Sequence, residues 1–339
     1  MPTEVDPLGA IDDACDEVAL RGAVREAADV AAAEFRHTPV LDVAGRWSEM
    51  QCHAVAAAVR LVPGGTHLPW TWFVSGSVAR GEAAPGSDVE SMLVVGDDVD
   101  EDGKTTMLER AAAVHAVLER CGIGGDSNGV LASRPRFCRR MRSWADGVTR
   151  WTEDPRQDRG VVMTGLMADS SAVLSNLDVD PNALRALTVA AVGNSTWAGQ
   201  ALLQDATALR SHIPSRLRAF TGQSDAADVK LAAIDPAVKI ARWAALAAGS
   251  EATSTPRRLD AAVAAGVLET DDGESLKDCF EWLTRFRWRL RLGSLTDGQP
   301  VSDVVSLSAL APHDRAALRS VAREIVGISR KLGYLSTFR

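Results

Sequence analysis

The chain has 339 residues, of which 46% are hydrophobic and 24% charged, with a formal net charge of −8. That length supports two domains, each with its own core, and the composition is that of a folded protein rather than a disordered one. The acidic balance argues against non-specific nucleic-acid binding, so an anionic substrate has to be met by local arginines or by a metal ion.

The N-terminus, Met1 to Asp13, lacks the charged-then-apolar pattern of a signal peptide, and no apolar run is long enough to span a bilayer. A cytoplasmic protein with no membrane partner is expected. The five cysteines, Cys15, Cys52, Cys121, Cys138 and Cys279, show no zinc-ligand spacing, and their odd number argues against a disulfide framework. From Asp13 to Val62 the apolar residues fall at helical spacing: Leu20, Val24, Ala27 and Ala31 in one stripe, Met50, Val55, Ala58 and Val59 in another. Pro63-Gly64-Gly65 closes this helical preface.

Trp70 to Val74 and Ser91 to Val95 read as core strands. Between them the chain turns through Gly76-Ser77, passes Arg80 and Pro85, and returns through Ser87-Asp88-Val89-Glu90. Residues two apart on a strand share a face, so Asp88 and Glu90 converge. Like charges about 4 Å apart repel by roughly 1 kcal/mol in water, and by more where the dielectric falls. A divalent cation with oxygen ligands would offset that repulsion. A hairpin with a polar loop and two solvated acids is the plainer alternative, and it leaves the acid spacing and Arg80 unexplained. Farther on, Thr105 to Cys121 reads as a helix and Gly122 to Gly129 as a connection, without the Lys-Ser/Thr ending of a phosphate loop. Arg134 to Trp151 reads as another helix, and the apolar run Val161 to Ala168 as a third strand ending at Asp169.

From Asn182 onward the chain reads as a helical bundle, with segments Ala183–Ile213, Pro236–Gly249, Pro256–Gly266, Asp272–Leu292 and Pro312–Leu332. Thr255-Pro256 has the form of an N-cap followed by a first-turn proline. Arg285 to Leu292 alternates like a strand, but Leu283, Phe286 and Leu290 keep helical spacing, so a helix is expected there. Arg287 and Arg291 are expected on a solvated face with salt bridges to acids such as Glu281.

The Gly-Ser turn followed by Asp-x-Glu resembles the motif of the DNA polymerase beta nucleotidyltransferase superfamily. Gly76-Ser77-Val78-Ala79-Arg80-Gly81-Glu82, followed by Ser87-Asp88-Val89-Glu90, is similar to the signature of a narrower group. This is a bacterial family with a domain of unknown function, related to the PII-uridylylating enzymes. Gly129 to Pro135 leading to Trp144, and Ala168-Asp169-Ser170-Ser171, fall where that family has its later motifs. Asp228-Val229-Lys230, Ala241-Arg242, Thr255 to Leu259 and Leu307-Ser308 follow in the order of its helical substrate-binding domain.

The resemblance implies an α+β fold: a polymerase-beta-like α/β domain over residues 66–178, a helical N-terminal segment 1–65, and a helical substrate-binding domain 179–339. It implies transfer of a nucleoside monophosphate from an NTP to a hydroxyl of a protein or small-molecule acceptor, releasing pyrophosphate. Asp88, Glu90 and Asp169 are then the catalytic acids and the ligands of Mg²⁺ or Mn²⁺. Gly76, Ser77, Arg80 and Ser87 meet the nucleotide, and Lys230, Arg242 and Arg258 are candidates for substrate contact. Glu90 stands where the family has Asp, and Ser171 where it has Arg. The second departure leaves open a catalytically weak, nucleotide-binding regulatory protein. A third reading is a helical interaction protein whose α/β layer is scaffold. Neither the NTP nor the acceptor can be chosen from the sequence, and Trp282, Trp288 and Tyr334 fit either a core or a homodimer interface.

Overall fold

The computed structural model describes residues 6–208, 212–214 and 225–335. Positions 209–211, within the predicted Ala183–Ile213 segment, and residues 1–5 lie outside them. The protein is α+β, with helical regions at both ends and a small mixed sheet between them. It divides into two compact units: residues 1–149 with 166–188, and residues 150–165 with 189–339. The helical preface therefore shares a unit with the sheet.

In the first unit, α1 (Pro7–Asp12), α2 (Glu17–Glu34) and α3 (Val40–Leu61) pack on one another. Asp16 caps α2 by accepting from the Ala19 amide at 2.8 Å, and the predicted stripe of Leu20, Val24, Ala27 and Ala31 is the buried one. The second stripe, on α3, is buried at Met50, Val55, Ala58 and Val59, and α3 also packs against α5 (Glu101–Arg120). Asp100 caps α5, whose first turn holds Glu101 and Asp102 and whose last holds Arg120, the charge order a helix dipole favours.

The sheet runs β3-β2-β1-β4, with β1 (Trp70–Ser75), β2 (Glu90–Val95), β3 (Cys138–Arg140) and β4 (Ser171–Ser175). β1 is buried along its whole length, as a central strand must be, and this explains a continuous apolar run rather than an alternating one. β1 is antiparallel to both β2 and β4, whereas β2 and β3 are parallel. Two registers matter for function: Ser75 lies opposite Glu90, and Val74 opposite Ser171. Gly76-Ser77, Asp88 to Glu90 and Asp169-Ser170 thus meet at one end of the sheet.

Two expectations need correction here. Val161 to Ala168 is not a strand but most of helix α7 (Gly160–Ala168). A short apolar run reads alike as a buried strand or a buried helix, and here Met163 and Met167 are buried one helical turn apart. The fourth strand instead begins after Asp169. Residues 138–140, expected in a helix, form β3, and helix α6 (Met141–Glu153) starts only at Met141.

The second unit contains α9 (Thr196–Thr207), which follows α8 (Ala183–Gly193), and then a two-stranded sheet of β5 (Ala226–Asp228) and β6 (Val304–Ser306). A π-helical turn, Lys230–Ile234, leads into α10 (Asp235–Ala247), followed by α11 (Thr255–Ala264), α12 (Thr270–Thr296) and α13 (Pro312–Leu335). Ser254 rather than Thr255 holds the N-cap position of α11, and Thr255 is fully buried. Arg285 to Leu292 is helical, as its apolar spacing predicts. Arg287 and Arg291 are not a solvated face. Both are buried, and both grip Asp303 just before β6, at 2.7–2.9 Å. A carboxylate that accepts from two guanidiniums leaves neither charge stranded. The five cysteines are unpaired. Among the described residues no helix is long and apolar enough to cross a membrane.

Candidate active site

At the end of β1 the chain enters a single helical turn, α4 (Gly76–Ala79), through Gly76 at φ 63°. That backbone region favours glycine. Space requires it too, because a Cβ at Gly76 would collide with the Glu90 carboxylate. The Gly-Ser turn therefore lies directly against the second acid of the Asp-x-Glu pair. Val89 between the two acids is 1% exposed, and it forms a parallel bridge with Gly125.

Burial pushes the Glu90 carboxyl up to about 7; Arg80 opposes this, while the carboxylates of Asp126, Asp169 and Asp88 add to it. Each of the other two expected acids, Asp88 and Asp169, thus bears electrostatically on Glu90. Glu90 Oε2 is buried with no hydrogen-bond partner, an exception in a folded protein.

Arg80, at the end of α4, is the cation of the group. Its Nε donates to Glu82 at 2.7 Å and its Nη1 to Asp169 at 2.5 Å. All three side chains are at most 10% exposed. Burial alone would lower the Arg80 pKa, but Asp169 and Glu82 raise it above the ordinary arginine value. Asp169 itself is 1% exposed, and Ser170 beside it anchors the segment: its carbonyl accepts from Arg185 Nη1 at 2.8 Å. Among the described residues no three His, Cys, Asp or Glu side chains are grouped as a metal cage. Asp169 is turned to the guanidinium rather than to open space.

Two stretches of the family's models match this chain. "Putative nucleotidyltransferase DUF294" covers residues 25–158, and "Putative nucleotidyltransferase substrate binding domain" covers residues 200–334. The chain belongs to this family. No curated protein matches it. The family's first stretch contains Gly76, Ser77, Arg80, Asp88 and Glu90, and Asp169 falls between the two.

The remaining expected residues stand as follows. Ser77 is partly exposed on α4 beside Gly76. Ser87 is buried, and its hydroxyl accepts from the Ala84 amide at 3.0 Å, which closes the turn ahead of Asp88. Within the family's substrate-binding stretch, Lys230 opens the π-helical turn and is partly buried. Arg242 lies on α10, with Nη1 against Gly165. Arg258 is 2% exposed and donates through Nε to the Ala252 carbonyl at 2.8 Å.

Asp126 and Glu82 were not among the expected site residues. The Gly122–Gly129 connection is laid along β2 by bonds from the Val89 amide to the Gly124 carbonyl and from the Asp126 amide to the Val89 carbonyl. Asp126, 4% exposed, accepts from the Val130 amide at 2.8 Å and so tightens its own loop. On the other face of β2, Ser91 accepts from the Ala132 amide at 2.9 Å and bonds the His115 ring at 2.9 Å, fixing the loop's far side. An acid in a glycine-rich stretch gives no local signal of its partner. Only strand pairing brings it to Glu90.

Proposed function

We propose that this protein transfers a nucleoside monophosphate from an NTP to an acceptor hydroxyl, with Asp88 and Glu90 as the central acids. One observation carries the reading: a carboxylate oxygen, Glu90 Oε2, buried without a partner against a Gly-Ser turn and among three further acids. The donor set fits Mg²⁺ or Mn²⁺, which take carboxylate oxygens, and an orphaned buried oxygen is the kind of ligand such an ion would satisfy. Asp88 and Glu90 would hold the ion, with Asp169 as a further ligand if it exchanges Arg80 for the metal. When bound, the cation supplies positive charge to the attacking and leaving oxygens of an in-line displacement.

In that displacement the acceptor oxygen bonds to the α-phosphorus while the bond from phosphorus to the bridging oxygen breaks, and pyrophosphate leaves. Gly76, without a side chain, lets the backbone approach the triphosphate, and the Ser77 hydroxyl donates to a phosphate oxygen. Asp169 orients the acceptor hydroxyl and takes its proton. Arg80, once released by Asp169, would add positive charge at the phosphate side of the site.

Asp88→Asn keeps the shape of the side chain and removes its charge. Loss of one such carboxylate should lower the rate about a thousandfold, worth about 4 kcal/mol. Pyrophosphate release would be followed with each of the four NTPs, and fold checked by circular dichroism. Undiminished release in the variant would refute the assignment. The Arg80 grip on Asp169, together with Ser171 in place of the family's arginine, favours a second reading: a regulatory protein that binds the nucleotide without turnover. Calorimetric binding of Mg-NTP with no pyrophosphate release under any condition would decide for it.

A further inference from the structure

The second unit carries a groove of about 750 Å³ on one face of α13, within the size range of small-molecule sites. Ile213, Val326 and Gly327 contribute apolar lining, and Arg319, Arg323 and Arg330 stand around it with no carboxylate among the lining residues. In a chain of net charge −8, a concave surface with three arginines and no acid is a local reversal of sign. Arg319 Nε donates to the Pro214 carbonyl at 3.1 Å and ties the 212–214 lip to the helix. Arg323 Nε donates to the Arg319 carbonyl at 3.1 Å; no described carboxylate pairs with Arg323 or Arg330, which leaves the Arg323 terminal nitrogens and the Arg330 head for an anion.

Gly327 adds an independent argument. It lies inside a helix of 24 residues, where glycine costs about 1 kcal/mol relative to alanine. Helix packing does not require it, because a Cβ built there would have nothing within 4 Å. Its effect is to keep the groove wall open. The opposite face of α13, with Leu318, Ile325, Ile328 and Leu332, is buried, so this face is the one left for a ligand.

We propose that this groove binds a small molecule with an apolar body and an anionic head, carboxylate or phosphate. The family's substrate-binding stretch, residues 200–334, contains every residue named for the groove.

The test uses the full chain and two probes with nearly the same aromatic body: anilinonaphthalene sulfonate, which is anionic, and phenylnaphthylamine, which is neutral. The sulfonate should bind at a single site, more weakly as salt rises. Combining Arg323→Ala with Arg330→Ala should weaken it about tenfold and leave the neutral probe within about twofold. Gly327→Leu should weaken both about tenfold by filling the groove, with a melting temperature no lower than the parent's. Unchanged sulfonate affinity in a folded Gly327→Leu variant, or equal affinity for the two probes, would overturn the site.

Discussion

Glu90 and Arg80 sit ten residues apart in the chain but contribute to stability in opposite ways. Burial and the neighbouring acids raise the Glu90 carboxyl from 4.5 to about 7, so the folded protein binds its proton more tightly than the unfolded chain does. That stabilisation is complete below about pH 4.5 and is lost as pH rises through about 7. Glu90→Gln should therefore flatten this part of the stability–pH curve and be the more stable protein at pH 8. Urea midpoints measured between pH 4 and 8 would check it, and a variant curve parallel to the parent's would contradict the assigned burial. Arg80→Ala should cost about 3–5 kcal/mol, because it strands the buried carboxylates of Glu82 and Asp169. Arg80→Lys keeps the charge but cannot reach both acids with one planar fork, so it should restore only part of that loss in the same urea titrations. The Gly-Ser turn and the Asp-x-Glu pair are visible as a local pattern in the sequence, although only Glu90 of the pair lies on β2. The Arg80–Asp169 bond is not visible, because 89 positions separate the partners.

At the scale of elements, the apolar periodicity of α2, α3, α5, α12 and α13 marks helices that the structure confirms, because an amphipathic stripe is a property of the segment. Gly160 to Ala168 misleads for the complementary reason: it is apolar on every face, so no stripe marks its period, even though Val162 is 41% exposed. The α12–β6 connection depends on one residue. Burial pushes the Asp303 carboxyl up, but hydrogen bonds from Arg287 and Arg291 outweigh it and hold it near 2. The stability this contributes, about 2 kcal/mol, is present above pH 3.8 and lost as pH falls through about 2. Asp303→Asn should remove that acid-range slope and destabilise the protein at neutral pH, since two buried guanidiniums lose their charged partner. Thermal melts from pH 2 to 7 would show both effects. An Asp303→Asn melting temperature equal to the parent's at pH 7 would mean the cluster is solvated after all.

At the scale of the whole molecule, the two units are interleaved in sequence: residues 150–165 belong with 189–339, and 166–188 with the sheet. The second unit uses that early segment directly. Ser195, which caps α9, donates to the Thr152 carbonyl at 2.7 Å, and Gly165 lies against Arg242. A fragment of residues 189–339 should consequently melt at a lower temperature than one of residues 150–339, measured by calorimetry; equal values would show that the early segment adds nothing. By itself the sequence determined the element types with a clear period, the α+β class, the family, and the turn with its two carboxylates. The elements and the turn are encoded within short stretches, and the class and family in the order of such stretches along the chain. Tertiary structure alone decided that Asp126 joins Glu90, that Arg80 spends its charge on Glu82 and Asp169, and that an arginine-rimmed groove opens on α13. Those depend on strand registers and helix packing between distant segments, and no local pattern records which distant segment a residue will meet.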